Sequence, residues 1–361
     1  MCDIRLYLLV AGFLTGFPPA AILHAQSSAP EFVQLGTQLM NESPGLAIWS
    51  FTRAIKEDPT LPTAYFERAK ALIELQNYDV AQTDIAKVIE LEGESVPVLR
   101  LRAEVEKRSR ELRAAIATLT RVIEISPNDE ASFRDRAELW ERVGNLKEAE
   151  SDYTLAMKKA PWNADGYHHR RAGLREKVGD LDGALADYDE IVGKPGMNSL
   201  YVFEPAFRRG SILFGRQAYA QSVVDFRSAL ARSRDHPDFS AGLHIWLARS
   251  RLGETAQADH EFSDLMRKVA MDPHASNEQL KLGEFILGAI SESEYWDSIG
   301  STHREDKLWR TLASFYAGMK RLLEGDESGA IELLQKVAAT EFGHFQLTEC
   351  QWAQWELKRL N

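Results

Sequence analysis

Arginine and aspartate recur in this sequence at a fixed spacing, and they are its clearest candidates for a chemical role. The aspartate follows the arginine by sixteen residues in four places: Arg68 and Asp84, Arg136 and Asp152, Arg171 and Asp187, Arg209 and Asp225. A guanidinium and a carboxylate form strong two-point hydrogen bonds when they face each other. We predict structural ion pairs that bridge two helices, within one repeat or between neighbours. A line of charges that contacts a ligand is the alternative.

The sequence offers little support for catalysis. It contains none of the short motifs of phosphate-binding loops, nucleophile elbows or zinc proteases. His168 and His169 are adjacent, and on a helix they point about 100° apart, which does not suit two ligands of one metal ion. We therefore expect no enzyme activity, no metal and no cofactor. An enzyme, or an enzyme subunit, with an atypical site near residues 271–309 is the alternative.

The balance of charge argues against nucleic acid as the main partner. The chain has 361 residues, of which 43 are basic and 54 acidic, for a net charge of -11. A phosphate backbone is repelled by such a chain on average. The content of 44% hydrophobic and 27% charged residues is typical of a folded globular protein. The only cysteines, Cys2 and Cys350, are too few for a disulfide framework.

The first 25 residues have the pattern of a secretory signal peptide. An apolar run from Leu6 to Phe17 follows Arg5, and small or neutral residues precede a cleavage position after Ala25. The run is shorter than the ~20 residues that span a bilayer. We predict a secreted or periplasmic protein with no membrane span in the mature chain. An uncleaved anchor and a cytosolic helix are the alternatives.

The sequence repeats itself with a period near thirty-four. An arginine followed by alanine or glycine recurs at Arg68, Arg102, Arg136, Arg171 and Arg209, in steps of 34, 34, 35 and 38 residues. Apolar residues spaced as on one helix face surround each pair, and proline or glycine closes each unit. This pattern predicts an all-α chain of antiparallel helix pairs. Arg102 is the exception to the aspartate rule because Thr118 follows it at sixteen residues.

The repeated unit resembles the tetratricopeptide repeat. The copy with Gly144-Asn145, Ala149, Tyr153, Ala156 and Pro161 matches the family pattern position for position. The resemblance implies a right-handed α-solenoid of about seven helix pairs, with repeats over residues 31–240 and a capping helix over 344–360. The small residues let two helices approach closely, so a bulky side chain at Ala137 or Ala149 is expected to cost about 1–3 kcal/mol.

The resemblance also implies a peptide-binding groove on the first helix of each pair. In the family, positions two before and two after the arginine face the concave surface. The residues at these positions with side chains suited to binding are Phe66, Lys70, Arg100, Glu104, Arg134, Glu138, His169 and Phe207. Their mixed charge fits an extended or helical peptide. Mutual, solvated i, i+4 pairs are the alternative.

The last third of the chain, residues 241–361, is similar to NlpI-type tetratricopeptide proteins of bacterial envelopes. The similar stretches are residues 244–253, 287–292 and 322–326. This resemblance implies a dimeric scaffold that docks envelope proteases and peptidoglycan hydrolases. An irregular insert over 271–301 separates these stretches, and Ser291 and Glu294 form a capping-box pattern within it.

Two further segments depart from a regular repeat. Residues 193–205 place apolar side chains in a connection, where they either bind a partner or pack on neighbouring repeats. The final helix has two apolar faces, one of which carries Phe345, Trp352 and Trp355. Because tryptophan is enriched at interface centres, we predict that this face meets a second subunit or a client. The alternative is cover from segments around residues 296–309.

The sequence as a whole predicts a non-enzymatic adaptor of the bacterial cell envelope. Its concave surface would hold a protein or peptide segment, and its last helix would allow a homodimer. A cytosolic scaffold, with the leader wrongly interpreted, is a further alternative.

Overall fold

The computed structural model describes residues 28–193, 202–231, 238–298, 304–340 and 348–360. These residues form α-helices and one short 3-10 helix, without strands. They divide into two compact units, the first ending at Ala164 and the second beginning at Asp165. The predicted all-α fold built from helix pairs is confirmed.

Unit 1 consists of four helix pairs. Its helices are α1 (Ala29–Leu39), α2 (Pro44–Glu57), α3 (Pro62–Glu74), α4 (Tyr78–Glu92), α5 (Val96–Arg108), α6 (Leu112–Ile125), α7 (Glu130–Arg142) and α8 (Leu146–Lys159). Proline occupies the first position of α2 and α3, where its fixed φ favours the helix and its missing N–H costs nothing. Each helix packs on the one before it and the one after it.

Small residues sit where the two helices of each pair meet. Ala47, Ala81, Ala115 and Ala149 are spaced by 34 residues and have no exposed surface. Larger apolar residues around them form separate clusters, such as the one with Tyr65, Ile85 and Val105 and the one with Ile116, Leu119 and Leu139. The core of unit 1 is therefore divided among neighbouring pairs, as expected for stacked repeats.

In three of the four helix pairs of unit 1, the turn contains a residue with a left-handed backbone. Gly144 in unit 1 has a φ of 83°, and Gln76 and Arg110 take the equivalent positions with φ of 58° and 67°. Glycine adopts this conformation without the steric cost that a Cβ introduces. Two of the three turns are therefore formed by residues that disfavour them.

Unit 2 contains eleven described helices. They are α9 (Ala164–Val178), which begins at the unit boundary, α10 (Leu181–Val192), α11 (Phe203–Gly215), α12 (Tyr219–Leu230), α13 (Phe239–Arg251), α14 (Thr255–Met271), α15 (Asn277–Ile286), α16 (Glu292–Ser298), α17 (Arg304–Glu324), α18 (Glu327–Ala338) and α19 (Thr348–Leu360). The described residues thus form eight pairs of long helices, a pair of short helices within the predicted insert, and a last helix.

Helices α11 to α19 form what we call the C-terminal bundle, because they share one hydrophobic core. At its centre is α13, where every residue from Ala241 to Ser250 is buried. Phe214 and Phe226 of α11 and α12 belong to the same cluster as Trp246. The predicted division near residue 240 therefore lies inside a continuous core and does not separate two compact regions.

The predicted insert folds as two short helices. Ser291 caps α16: its backbone N–H donates to Glu294 Oε2 at 2.7 Å, and the Glu294 N–H donates to Ser291 Oγ at 3.2 Å. In the segment 193–205, Val202 is buried beside Ala206 and Ala229. Residues 194–201 lie outside the described residues, as do the predicted signal peptide and Phe345. No helix of the described ranges combines the length and hydropathy needed to cross a membrane.

Candidate protein-interaction surfaces

All four predicted arginine–aspartate pairs form two-point contacts within one helix pair. In the first, Arg68 Nε and Nη2 donate to Asp84 at 2.7 and 2.6 Å, and both distances for Arg136 and Asp152 are 2.7 Å. The other two pairs, Arg171 with Asp187 and Arg209 with Asp225, have distances of 2.5–2.9 Å. The four carboxylates are buried. These pairs lie inside the protein and join the two helices of a repeat.

Three of these arginines also reach the preceding pair. Arg68 Nη1 donates to Thr52 at 3.1 Å, and Arg136 Nη1 donates to Thr120 at 2.9 Å, in each case sixteen residues before the arginine. Arg209 donates to Asp189 at 2.8 Å. One guanidinium therefore fixes three successive helices, which gives the repeated residue a structural role.

Arg102, which lacks the repeated aspartate, pairs instead with a carboxylate of its own helix. Arg102 Nε donates to Glu106 at 2.8 Å, and the other oxygen of Glu106 accepts from the Thr118 hydroxyl at 2.7 Å. Glu106 is only 3% exposed. In this pair the carboxylate is on the first helix of the pair instead of the second. Thr118 occupies the position of the aspartate and donates a hydrogen bond to that carboxylate. The sequence analysis did not identify Glu106.

The environment of the buried aspartate differs between pairs. Burial opposes ionisation of Asp187, but hydrogen bonds from His168 and Arg171 and the nearby charge of Arg175 outweigh it, so its pKa lies below the usual value. Burial raises the pKa of Asp225, which has the single guanidinium of Arg209 and the added repulsion of Asp189. The number of cationic donors decides the direction of the shift.

The predicted groove residues of unit 1 occupy equivalent positions on α3, α5 and α7. Phe66 lies under the Lys70 ammonium, 5.8 Å from the ring centre, and Lys70 pairs with Glu67 at 2.8 Å. All are at least partly exposed. They form a surface row, which we call the α3–α5–α7 row.

The charged members of this row have partners within unit 1. Arg100 pairs with Asp129, and Glu104 pairs with Lys107 and Arg108 at 2.5 and 2.6 Å. Arg134 pairs with Asp135 at 3.0 Å and lies close enough to Glu138 to feel its charge. Such exposed pairs contribute about 0–1 kcal/mol each, so a ligand can exchange them at low cost.

The predicted groove residues of unit 2 are less available. His169 lies 6.4 Å from the Tyr188 ring, and burial lowers its pKa. The Phe207 ring lies 5.6 Å from Phe226 and 5.0 Å from His244. Phe207 is partly buried against the core of the bundle, and its place in a groove stays a prediction.

Trp352 is not an interface residue. It is 1% exposed, its ring stacks on Phe214 at 4.0 Å, and its Nε1 donates to the Ser211 carbonyl at 3.1 Å. The prediction of a subunit or client contact at Trp352 is wrong because the chain folds back on itself and α19 packs against α11. Rings of α12, α13 and α17 also surround the indole, namely Phe226, His244 and Phe315. The alternative, cover from segments around residues 296–309, includes residues 299–303, which lie outside the described residues.

Trp355 remains partly exposed and lines a cleft of about 330 Å³ between α10, α11 and α19. The apolar lining comes from Leu181, Ile212, Gly215 and Trp355, and the cationic lining from Arg216, Lys358 and Arg359. Trp355 was predicted from the sequence as a binding residue, but the three cations were not. Arg216 is far in the chain from Lys358 and Arg359, so no sequence pattern connects them. Among the described residues, no cluster of histidine, cysteine and acidic side chains could hold a metal ion.

Comparison with known proteins identifies the repeat. Residues 62–95, which hold the first arginine–aspartate pair, match the model of the tetratricopeptide repeat. This segment is a tetratricopeptide repeat. A stretch of 108 residues is 34% identical to human sperm-associated antigen 1, covering 30% of this chain and 12% of that protein. Another of 133 residues is 30% identical to human mitochondrial import receptor subunit TOM70, covering 35% of this chain and 21% of that protein.

Two solved structures that are similar to this chain have low sequence identity to it. A tetratricopeptide protein from Parabacteroides merdae is 12% identical, with 81% of this chain and 98% of that chain covered and a TM-score of 0.44. MamA from Desulfovibrio magneticus is 15% identical, with 47% and 96% covered and a TM-score of 0.43. The chain spans only a small part of the curated relatives named above.

Proposed function

We propose that this protein is a non-enzymatic scaffold of the bacterial cell envelope that holds a protein or peptide segment on the α3–α5–α7 row. The row itself is the observation that carries the proposal. Equivalent positions on the first helices of three successive pairs expose an aromatic ring and alternating charges within one compact unit. Tetratricopeptide helices are ordered before binding, so little conformational entropy is lost by the protein on association.

The envelope location is supported by the leader pattern of residues 1–25 and by the likeness of residues 241–361 to NlpI-type proteins. Both remain predictions of the sequence. A homodimer through Trp352 is no longer part of the proposal, because that side chain lies in the core of its own chain.

The test compares client capture by the intact protein and by three charge-reversal variants. Arg100→Glu and Arg134→Glu alter the row, whereas Arg121→Glu alters an exposed arginine of α6 that pairs with Glu94 and Glu124. A client recovered in stoichiometric amount from a periplasmic fraction should bind the Arg121→Glu variant normally and both row variants about tenfold more weakly, as measured by calorimetry.

Two results would count against the proposal. Equal binding by all three variants would place the client elsewhere. Turnover of peptide or glycan substrates by the purified protein would favour an enzyme. The N-terminal sequence of the mature protein tests the envelope location separately, because a chain that keeps residues 1–25 and remains in the cytosol contradicts it.

A further inference from the structure

We infer that the cleft between α10, α11 and α19 is a second binding site, specific for an acidic peptide segment that carries one bulky apolar side chain. The site lies in unit 2 and does not depend on the α3–α5–α7 row. Its floor is apolar, since Leu181 and Ile212 line it together with the indole of Trp355. Its volume of about 330 Å³ is enough for one large side chain and part of a backbone.

A glycine shapes this cleft. A Cβ on Gly215 would lie 2.0 Å from the six-membered ring of Trp355. Only glycine lets the indole rest directly against α11 at this point. The ring is therefore held in place on one side while part of it stays exposed to solvent. A fixed, half-exposed aromatic ring loses little side-chain entropy when a ligand packs on it.

The charge of the lining determines what kind of ligand fits. Arg216, Lys358 and Arg359 are all cationic, and no acidic residue of the described ranges lines the cleft. Arg216 is paired with the exposed Asp182 at 2.6 Å, and Arg359 is paired with Glu356. Lys358 is exposed and makes no ion pair with any described residue. An incoming carboxylate would meet this ammonium directly and could exchange with Asp182 on Arg216.

A peptide fits these features better than a nucleic acid does. The whole chain carries a net charge of -11, which disfavours a long phosphate backbone. A short segment with a few carboxylates is attracted by the three local cations and buries its apolar side chain against Trp355. The carboxylates can come from aspartate and glutamate side chains or from a chain terminus.

The test uses a fluorescein-labelled peptide, Asp-Glu-Asp-Phe-Asp-Glu-Asp, and fluorescence anisotropy on the full-length protein. We expect saturable binding that weakens with salt. Trp355→Ala and Lys358→Glu should each weaken it about tenfold. Lys336→Glu is the matched control, because Lys336 is an exposed lysine of α18 outside the cleft, and its binding should stay unchanged.

The remaining measurements separate the possible outcomes. A peptide with glycine in place of phenylalanine should bind at least tenfold more weakly, and a free terminus compared with an amidated one shows whether the terminal carboxylate is used. If Trp355→Ala lowers the melting temperature, Lys358→Glu at an exposed position still tests the site. No binding by the intact protein up to about 1 mM, or equal binding by Lys358→Glu and Lys336→Glu, would overturn the inference. The row variants Arg100→Glu and Arg134→Glu should bind this peptide normally, whatever becomes of the proposed client.

Discussion

Unit 1 and the C-terminal bundle are built from the same kind of helix but distribute their stability differently. In unit 1 the apolar clusters are small, and each belongs to neighbouring helix pairs. In the C-terminal bundle one cluster extends from Phe214 to Ala353 and surrounds α13 from Ala241 to Ser250. A destabilising substitution in a repeat affects mainly that repeat and its neighbours, because each repeat contacts only the repeats next to it in sequence. The bundle depends on contacts between segments that are far apart in sequence.

The largest effect is expected from removing the side chain that closes the bundle. Trp352→Ala should destabilise the bundle by about 3–5 kcal/mol, since it leaves a cavity beside Phe214 and breaks the bond to the Ser211 carbonyl. Hydrogen exchange should show lost protection in α11, α13 and α17 but not in unit 1. A change confined to α19 would mean that the bundle is not one cooperative structure.

A smaller effect is expected from the irregular repeat of unit 1. Thr118→Asp would restore the repeated aspartate but place it against the buried Glu106. The two carboxylates should repel each other and lower the free energy of unfolding by about 2 kcal/mol. The double variant Thr118→Asp/Glu106→Gln should recover most of this loss in urea denaturation. A neutral effect of Thr118→Asp alone would show that Arg102 can hold both carboxylates.

Substitutions in the turns of unit 1 are expected to change the free energy of unfolding by about 1 kcal/mol. Arg110→Gly should stabilise the protein by this amount, because Arg110 has a φ of 67°. Gly144→Ala should destabilise it by a similar amount, since Gly144 has a φ of 83° in the equivalent turn. Thermal melts of both variants give the measurement. Opposite signs for the two changes are the essential result, and equal signs would contradict the argument from backbone strain.

The smallest expected effect is in the dependence of stability on pH. Asp187 has a folded pKa below the unfolded value of about 3.9. It therefore stabilises the protein above that pH, and this contribution is lost as the pH falls through the folded pKa. Asp225 has a raised folded pKa, so its contribution becomes more favourable as the pH falls through that value.

Urea denaturation of Asp187→Asn and Asp225→Asn between pH 3 and 7 separates the two cases. Asp187→Asn should flatten the acid-side loss of stability below about pH 4. Asp225→Asn, in the bundle, should make the loss of stability steeper above about pH 4, between the unfolded pKa and the raised folded pKa. Identical curves would mean that the extra donors around Asp187 make no difference.

The difference between the two regions also explains what the sequence could predict. The arginine–aspartate contacts could be anticipated because both residues belong to one helix pair and recur with its period. The position of Glu106 was detectable, since Leu72 and Trp140 occupy equivalent positions and a carboxylate among them is unusual. Trp352 was recognised as a side chain that needs cover, but its partner Ser211 is 141 residues away. Periodicity carries no information about such a contact.

The burial of α13 has a consequence for the synthesis of the protein. Residues from Ala241 to Ser250 have no solvent face in the finished fold, yet α19 follows them by about 110 residues. At about 5–20 residues per second, the ribosome would need roughly 5–20 s to complete the covering helices. During that interval the nascent chain would expose residues of α13 that are buried on every side in the finished fold. We expect α13 to be the segment that most needs a chaperone.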